Sequence, residues 1–142
     1  MVTTHDKETI DPNKYVPAPW EEWIGFDLDG TLAKYDQFRG DEHIGDPIKK
    51  TVDLAIRFRD SGFKIKIVTA RVSSDRSTNT ITQQVRAIKK WCADNLGFIP
   101  EVTAEKDYMM MALFDDRAIR VERNEGEYTL PIEVHYMLED ID

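Results

Sequence analysis

Two carboxylates in close sequence, Asp27 and Asp29, stand directly after the apolar run Trp23 to Phe26 and are followed by Gly30 and Thr31. Acidic side chains at the end of a strand lie where an open α/β sheet places its ligand crevice, so this pair can share a cation and face a substrate. An aspartate there can also attack phosphorus and carry the phosphoryl group covalently. Further polar sites close later apolar runs: Thr69 with Arg71, then Lys106, then Asp115 with Asp116. In-line phosphoryl transfer requires a nucleophile, a cation, positive or hydrogen-bonding groups on the equatorial oxygens, and a proton source for the leaving oxygen. Together these sites supply each part.

The elements that must position them follow from periodicity. A strand over about 22–28 carries the first pair. Pro47 opens a helix whose apolar face is Ile48, Val52, Ala55 and Ile56, with Leu54 and Phe58, and Ser61-Gly62 ends it. A second strand, Phe63 to Thr69, precedes a polar loop and a helix from about Thr80 to Asn95, built on Ile81, Val85, Ile88, Trp91 and Cys92, with Gly97 as its C-terminal stop. A short strand at Ile99 to Val102 and the apolar stretch Met109 to Phe114 come next. Ala118 to Val121 reads as a helical turn or short strand, and the tail alternates weakly through Tyr128, Leu130, Ile132, Val134 and Tyr136. Strand alternating with helix predicts a three-layer, Rossmann-like α/β fold: a parallel sheet with helices on both faces and right-handed crossovers.

Length and composition narrow the function. A chain of 142 residues, 41% hydrophobic, suits one domain, expected over 20–142 and preceded by a polar, proline-bearing arm at 1–19. A net charge of -8 opposes an extended, charge-driven grip on nucleic acid, which relies on Lys and Arg neutralising phosphates. The single Cys92 excludes an intramolecular disulfide, and its place beside Trp91 in a helical pattern suits packing. With no export leader and no apolar run of about 18 residues, a cytoplasmic protein away from membranes is expected. His5, His43 and His135 form no zinc spacing. Arg86, Lys89 and Lys90 read as a solvated helical face. Tyr35 and Phe38, in the flap after Thr31, either anchor that loop to the core or stack on a base.

Taken in order, Asp-Leu-Asp-Gly-Thr at 27–31, Thr69 after a strand, Lys106, and Asp115-Asp116 after a strand resemble the motif series of haloacid dehalogenase-like (HAD) phosphatases, over residues 22–121. The resemblance implies that Asp27 is the nucleophile and a magnesium ligand. It implies Asp29 as the general acid/base that also offers the metal its backbone carbonyl. Thr69 would hold the phosphoryl oxygens, Lys106 would pair with nucleophile and phosphate, and Asp116 with Asp115 would complete the Mg2+ site. Oxygen-only ligands suit that hard cation. Neither insertion point of the family, in 29–46 or in 71–99, has room for a cap domain. A capless site is open to bulky substrates, or borrows a lid from a second copy in a homo-oligomer.

Arg39, Arg71 and the run Asp115-Asp116-Arg117 are also similar to the 3'-phosphatase domain of phage-type polynucleotide kinase-phosphatases, whose Ser-Gly-Arg falls at Thr69-Ala70-Arg71. This implies substrate contacts at Thr31, Arg39, Thr69, Ala70, Arg71 and Lys106. Ion pairing with the chain's many carboxylates is the other reading of each arginine. The chain departs from those enzymes in having no Gly-Lys-Ser or Gly-Lys-Thr loop, and in its acidity. The expected activity is a magnesium-dependent phosphomonoesterase working through an aspartyl-phosphate on a nucleotide or other small phosphorylated metabolite. A polynucleotide 3'-phosphatase is the enzymatic alternative. The alternative from another class is a HAD-like binding or regulatory protein without turnover, which would have no physical need for Asp29 beside Asp27.

Overall fold

The structure is a computed structural model that describes residues 22–40 and 42–141, so the arm expected at 1–19 lies outside the described residues. Strands β1 (Trp23–Phe26), β2 (Lys64–Val68), β3 (Glu101–Thr103) and β4 (Met110–Phe114) form a sheet of order β3-β2-β1-β4. Every pairing is parallel, as the alternating pattern predicts. No helix among the described residues is long and apolar enough to cross a membrane.

The chain steps from β1 to β2 to β3 in one direction across the sheet. The helices of these two crossovers, α1 (Lys49–Asp60) and α2 (Thr78–Asn95), share one face, as two crossovers of the usual right hand in the same direction require. The core agrees. Ile24 and Phe26 of β1 register with Ile65 and Ile67 of β2, and these alternate positions share one cluster with Val52 and Ala55 of α1 and Ile88, Trp91 and Cys92 of α2. Phe26 stacks on Phe114 at 4.6 Å between ring centroids, and Phe58 of α1 leans on both. Truncating a ring buried in this way costs about 3–5 kcal/mol.

Helices on both faces were the expectation. In the described residues α1 and α2 share a face, and the return from β3 to β4 runs through 104–109, too short to hold a helix. It crosses the opposite face, where Asp107 accepts a hydrogen bond from Trp23 Nε1 at 2.7 Å. Lys66, one residue out of phase with Ile65 and Ile67, also points to that face. There it meets Glu101 at 2.9 Å and lies over the Trp23 ring.

Local signals set the helix ends. Ser77 Oγ accepts from the Thr80 amide, so α2 begins at Thr78, ahead of the predicted start. Gly97, at φ +81, ends it by donating its amide to the Cys92 carbonyl. Two expectations fail near the end of the chain. Residues 118–121 are irregular, and the alternating tail forms a helix, α3 (Ile132–Ile141). The pairs Ile132/Tyr136 and Val134/Leu138 fit a helical repeat as well as alternation, and Pro131 opens the helix with its carbonyl accepting from His135.

Candidate active site

Parallel register brings the acidic ends together. Phe26 pairs with Phe114, and the Asp27 amide donates to the Phe114 carbonyl at 2.9 Å, so the residues that follow, Asp27 and Asp115, emerge side by side. Beyond β1 the chain turns sharply: the Leu32 and Ala33 amides donate to the Leu28 carbonyl, and Leu28 and Leu32, wholly buried, anchor the turn in the core. Gly30 sits there at φ +85, and a Cβ at this position would overlap the Asp116 carboxylate. Thr31 accepts from the Asp116 amide at 3.1 Å and donates to Asp116 Oδ1 at 3.3 Å. Thr51 on α1 holds the Thr31 carbonyl in turn. The Gly-Thr of the motif therefore serves Asp116, at the far end of the chain's site. Thr31 was expected to touch substrate; its hydroxyl is engaged in positioning a carboxylate.

Carboxylate oxygens of Asp27, Asp115 and Asp116 lie within 4.8 Å of one another. Burial, opposed by the Leu28 amide and reinforced by the Asp115 charge and by the hydrogen bond and charge of Asp116, raises the Asp27 carboxyl to about 7. Asp115 Oδ1 accepts from the Arg117 amide at 2.8 Å, and Asp116 Oδ1 from the Thr31 hydroxyl. The oxygen-only set, three carboxylates crowded together, fits a hard divalent cation.

Asp29 is held apart from that trio. Arg71 donates from Nε to Asp29 Oδ2 at 2.7 Å and from Nη2 to Oδ1 at 2.9 Å, a bidentate pair. The same guanidinium reaches Gln84 Oε1 at 3.0 Å and the His43 carbonyl at 2.7 Å. Arg71 thus takes the ion-pair reading. Thr69, buried at the end of β2, accepts the Arg71 amide at 3.1 Å and caps the 3-10 turn Ala70–Val72. That bond leaves its hydroxyl hydrogen for a further acceptor. Ala70 is the exposed first residue of this turn.

Two expected site residues stand exposed or pair elsewhere, although Arg39 lines a small cavity with Asp29 and Arg71. Lys106 is exposed on the segment after β3 and makes no hydrogen bond or ion pair with Asp27. Arg39 pairs with Asp36 at 2.9 Å within the flap. Conversely, Gln84 was missed. It stands on the buried stripe of α2 with Ile88 and Trp91, and a lone amide on an apolar face is the signal that marks it.

Asp29, Arg71 and Asp116 open onto a cavity of about 210 Å³ that Tyr35, Phe38, Arg76 and Arg117 complete. Tyr35 and Phe38 are 50% and 69% exposed, so they do not anchor the flap to the core.

No protein-family profile matches this chain, and no curated protein matches it. A solved structure described as the conserved protein coded by locus from Bacteroides thetaiotaomicron is similar at 16% sequence identity with a TM-score of 0.45, covering 86% of this chain and 93% of that one.

Proposed function

We propose that this chain is a capless, HAD-like phosphomonoesterase that requires magnesium and works through an aspartyl-phosphate on Asp27. The observation that carries the reading is the convergence of Asp27, Asp115 and Asp116 at the carboxyl ends of adjacent strands. Like charges this close are costly to hold together, and the raised Asp27 carboxyl is the kind of perturbation that clusters at functional sites. Asp27, Asp115 and Asp116 would hold magnesium, which when bound would offset negative charge on the phosphoryl oxygens.

The chain's own residues then divide the remaining work. An Asp27 carboxylate oxygen attacks phosphorus, a bond forms between them, and the bond from phosphorus to the leaving oxygen breaks with its electron pair. Asp29 gives that oxygen its proton, and in the second half takes one from the water that attacks the aspartyl-phosphate. Arg71, supported by Gln84 and the His43 carbonyl, keeps the Asp29 carboxylate in one orientation. Thr69 offers its hydroxyl hydrogen to a phosphoryl oxygen. Thr31 fixes Asp116.

Phosphate release with magnesium should be measured across nucleoside monophosphates, sugar phosphates and a 3'-phosphorylated oligonucleotide, with Asp27→Asn as the control. Turnover of one class that drops at least about a thousand-fold in Asp27→Asn supports the mechanism. Substantial turnover by the variant would sink the covalent step, and silence across the whole panel favours the binding-protein alternative.

A further inference from the structure

The flap between the first turn and α1 is stapled at its base. The Lys34 amide donates to the Asp46 carbonyl at 2.8 Å, Ala33 bridges to Pro47, and the Arg39–Asp36 pair braces the tip with two hydrogen bonds. Arg71 ties the flap to the site through the His43 carbonyl. A loop held at its base, tip and side has little reason to leave two large rings in water. Yet Tyr35 and Phe38 remain half or more exposed and line the same cavity as Asp29 and Asp116.

That placement selects among phosphate monoesters. A sugar phosphate would fill the polar end of the cavity and leave both rings solvated. A leaving group carrying a flat aromatic ring would cover them, and stacking on such side chains tolerates any base because every base has a π-face. Arg76 and Arg117 line the remaining wall, giving the cavity positive groups for an anionic ligand and flat guanidinium surfaces beside the rings.

We propose that Tyr35 and Phe38 form a base-stacking platform and that the substrate is a mononucleotide, its phosphate at Asp27 and its base on the flap. This rests on the reading of the Asp27 site as a phosphate-monoester site, and it fixes the substrate class that reading leaves open.

The test separates the two by measuring binding without turnover. Calorimetry on the Asp27→Asn chain, in buffer containing magnesium, compares adenosine monophosphate with ribose 5-phosphate, which has the same phosphate and sugar but no base. The platform predicts an affinity ratio of about 10 to 100 in favour of the nucleotide, from the usual strength of base–aromatic stacking. Adding Tyr35→Ala and Phe38→Ala should collapse that ratio towards one, while Tyr35→Phe with Phe38→Tyr should restore it. Both rings are exposed, so these changes leave the core intact. Equal affinity for the two ligands, or a ratio that survives the double alanine change, overturns the platform even if phosphate release proves the phosphatase. A ring-dependent preference in a chain that hydrolyses nothing keeps the platform and removes the phosphatase.

Discussion

On the second face of the sheet Lys66 meets Glu101 at 2.9 Å and Asp107 at 3.4 Å, whereas at the carboxyl ends of β1 and β4 three aspartates crowd together. Burial works against the Lys66 charge, but Glu101 and Asp107 hold its ammonium above the usual lysine range. The Trp23 indole N–H, then Lys66, holds the Asp107 carboxyl below its usual range. In the aspartate group the direction is reversed, with Asp27 pushed up to about 7. Both clusters are charged and both include a partly or fully buried member. One joins opposite charges and braces the crossover loop; the other gathers like charges at the candidate site. Charge alone therefore says little about function, and whether a cluster joins opposite charges or gathers like ones says much more.

Removing the Asp27 carboxylate has the largest expected effect, the loss of the proposed turnover, and it sharpens the contrast through stability. Asp27→Asn takes a like charge out of a crowded group, so the metal-free variant should melt higher than the parent at about pH 8, whereas a lower melting point would mean the trio is internally balanced after all. Next in size, Arg71→Lys keeps a positive charge but loses the bidentate fork on Asp29, and kcat should fall about a hundred-fold with KM little changed. A rise in KM with kcat preserved would move Arg71 from positioning Asp29 to gripping substrate.

Lys66→Met breaks the balanced cluster instead. It leaves Glu101 and Asp107 without their shared cation, and the melting temperature should drop by roughly 5 °C with phosphate release unchanged at saturating substrate. A loss of turnover in that folded variant would mean the two faces are coupled.

The smallest effect is the pH response. Because the folded Asp27 carboxyl is raised from 3.8 to about 7, its protonated form stabilises the metal-free chain fully below the lower value. That contribution is lost as pH rises through about 7. Asp36 and Asp107 are lowered, so their contributions vanish only in more acid solution and leave this window to Asp27. Magnesium needs the carboxylate, so its stabilising shift should be larger at about pH 8 than at about pH 5, read by thermal melts with and without the ion. An equal shift at both would detach the metal from Asp27.

The strands and helices that carry the site were legible because their apolar runs are long and punctuated: Phe63 to Thr69 before a polar loop, Ile81 to Cys92 closed by Gly97. The tail was misread because Ile132, Val134 and Tyr136 satisfy two periods at once, and Pro131 decides between them only once its carbonyl is seen accepting from His135. The site divides in the same way. The types and places of Asp27, Asp29, Thr69 and the Asp115-Asp116 pair, each at the end of an apolar run, were fixed by the chain itself, because strand ends in such a sheet share one edge.

What each group does to its neighbours depended on distances that no spacing contains. Sequence order could not show that Gly30 and Thr31 exist to seat Asp116, since that contact joins residues brought together only by the pairing of β1 with β4. Nor could it show that Arg71 grips Asp29 while Arg39 turns to Asp36, or that Lys106 stands free of Asp27. An arginine or lysine carries the same charge wherever it stands, and only the three-dimensional reach of its long side chain selects which carboxylate it satisfies.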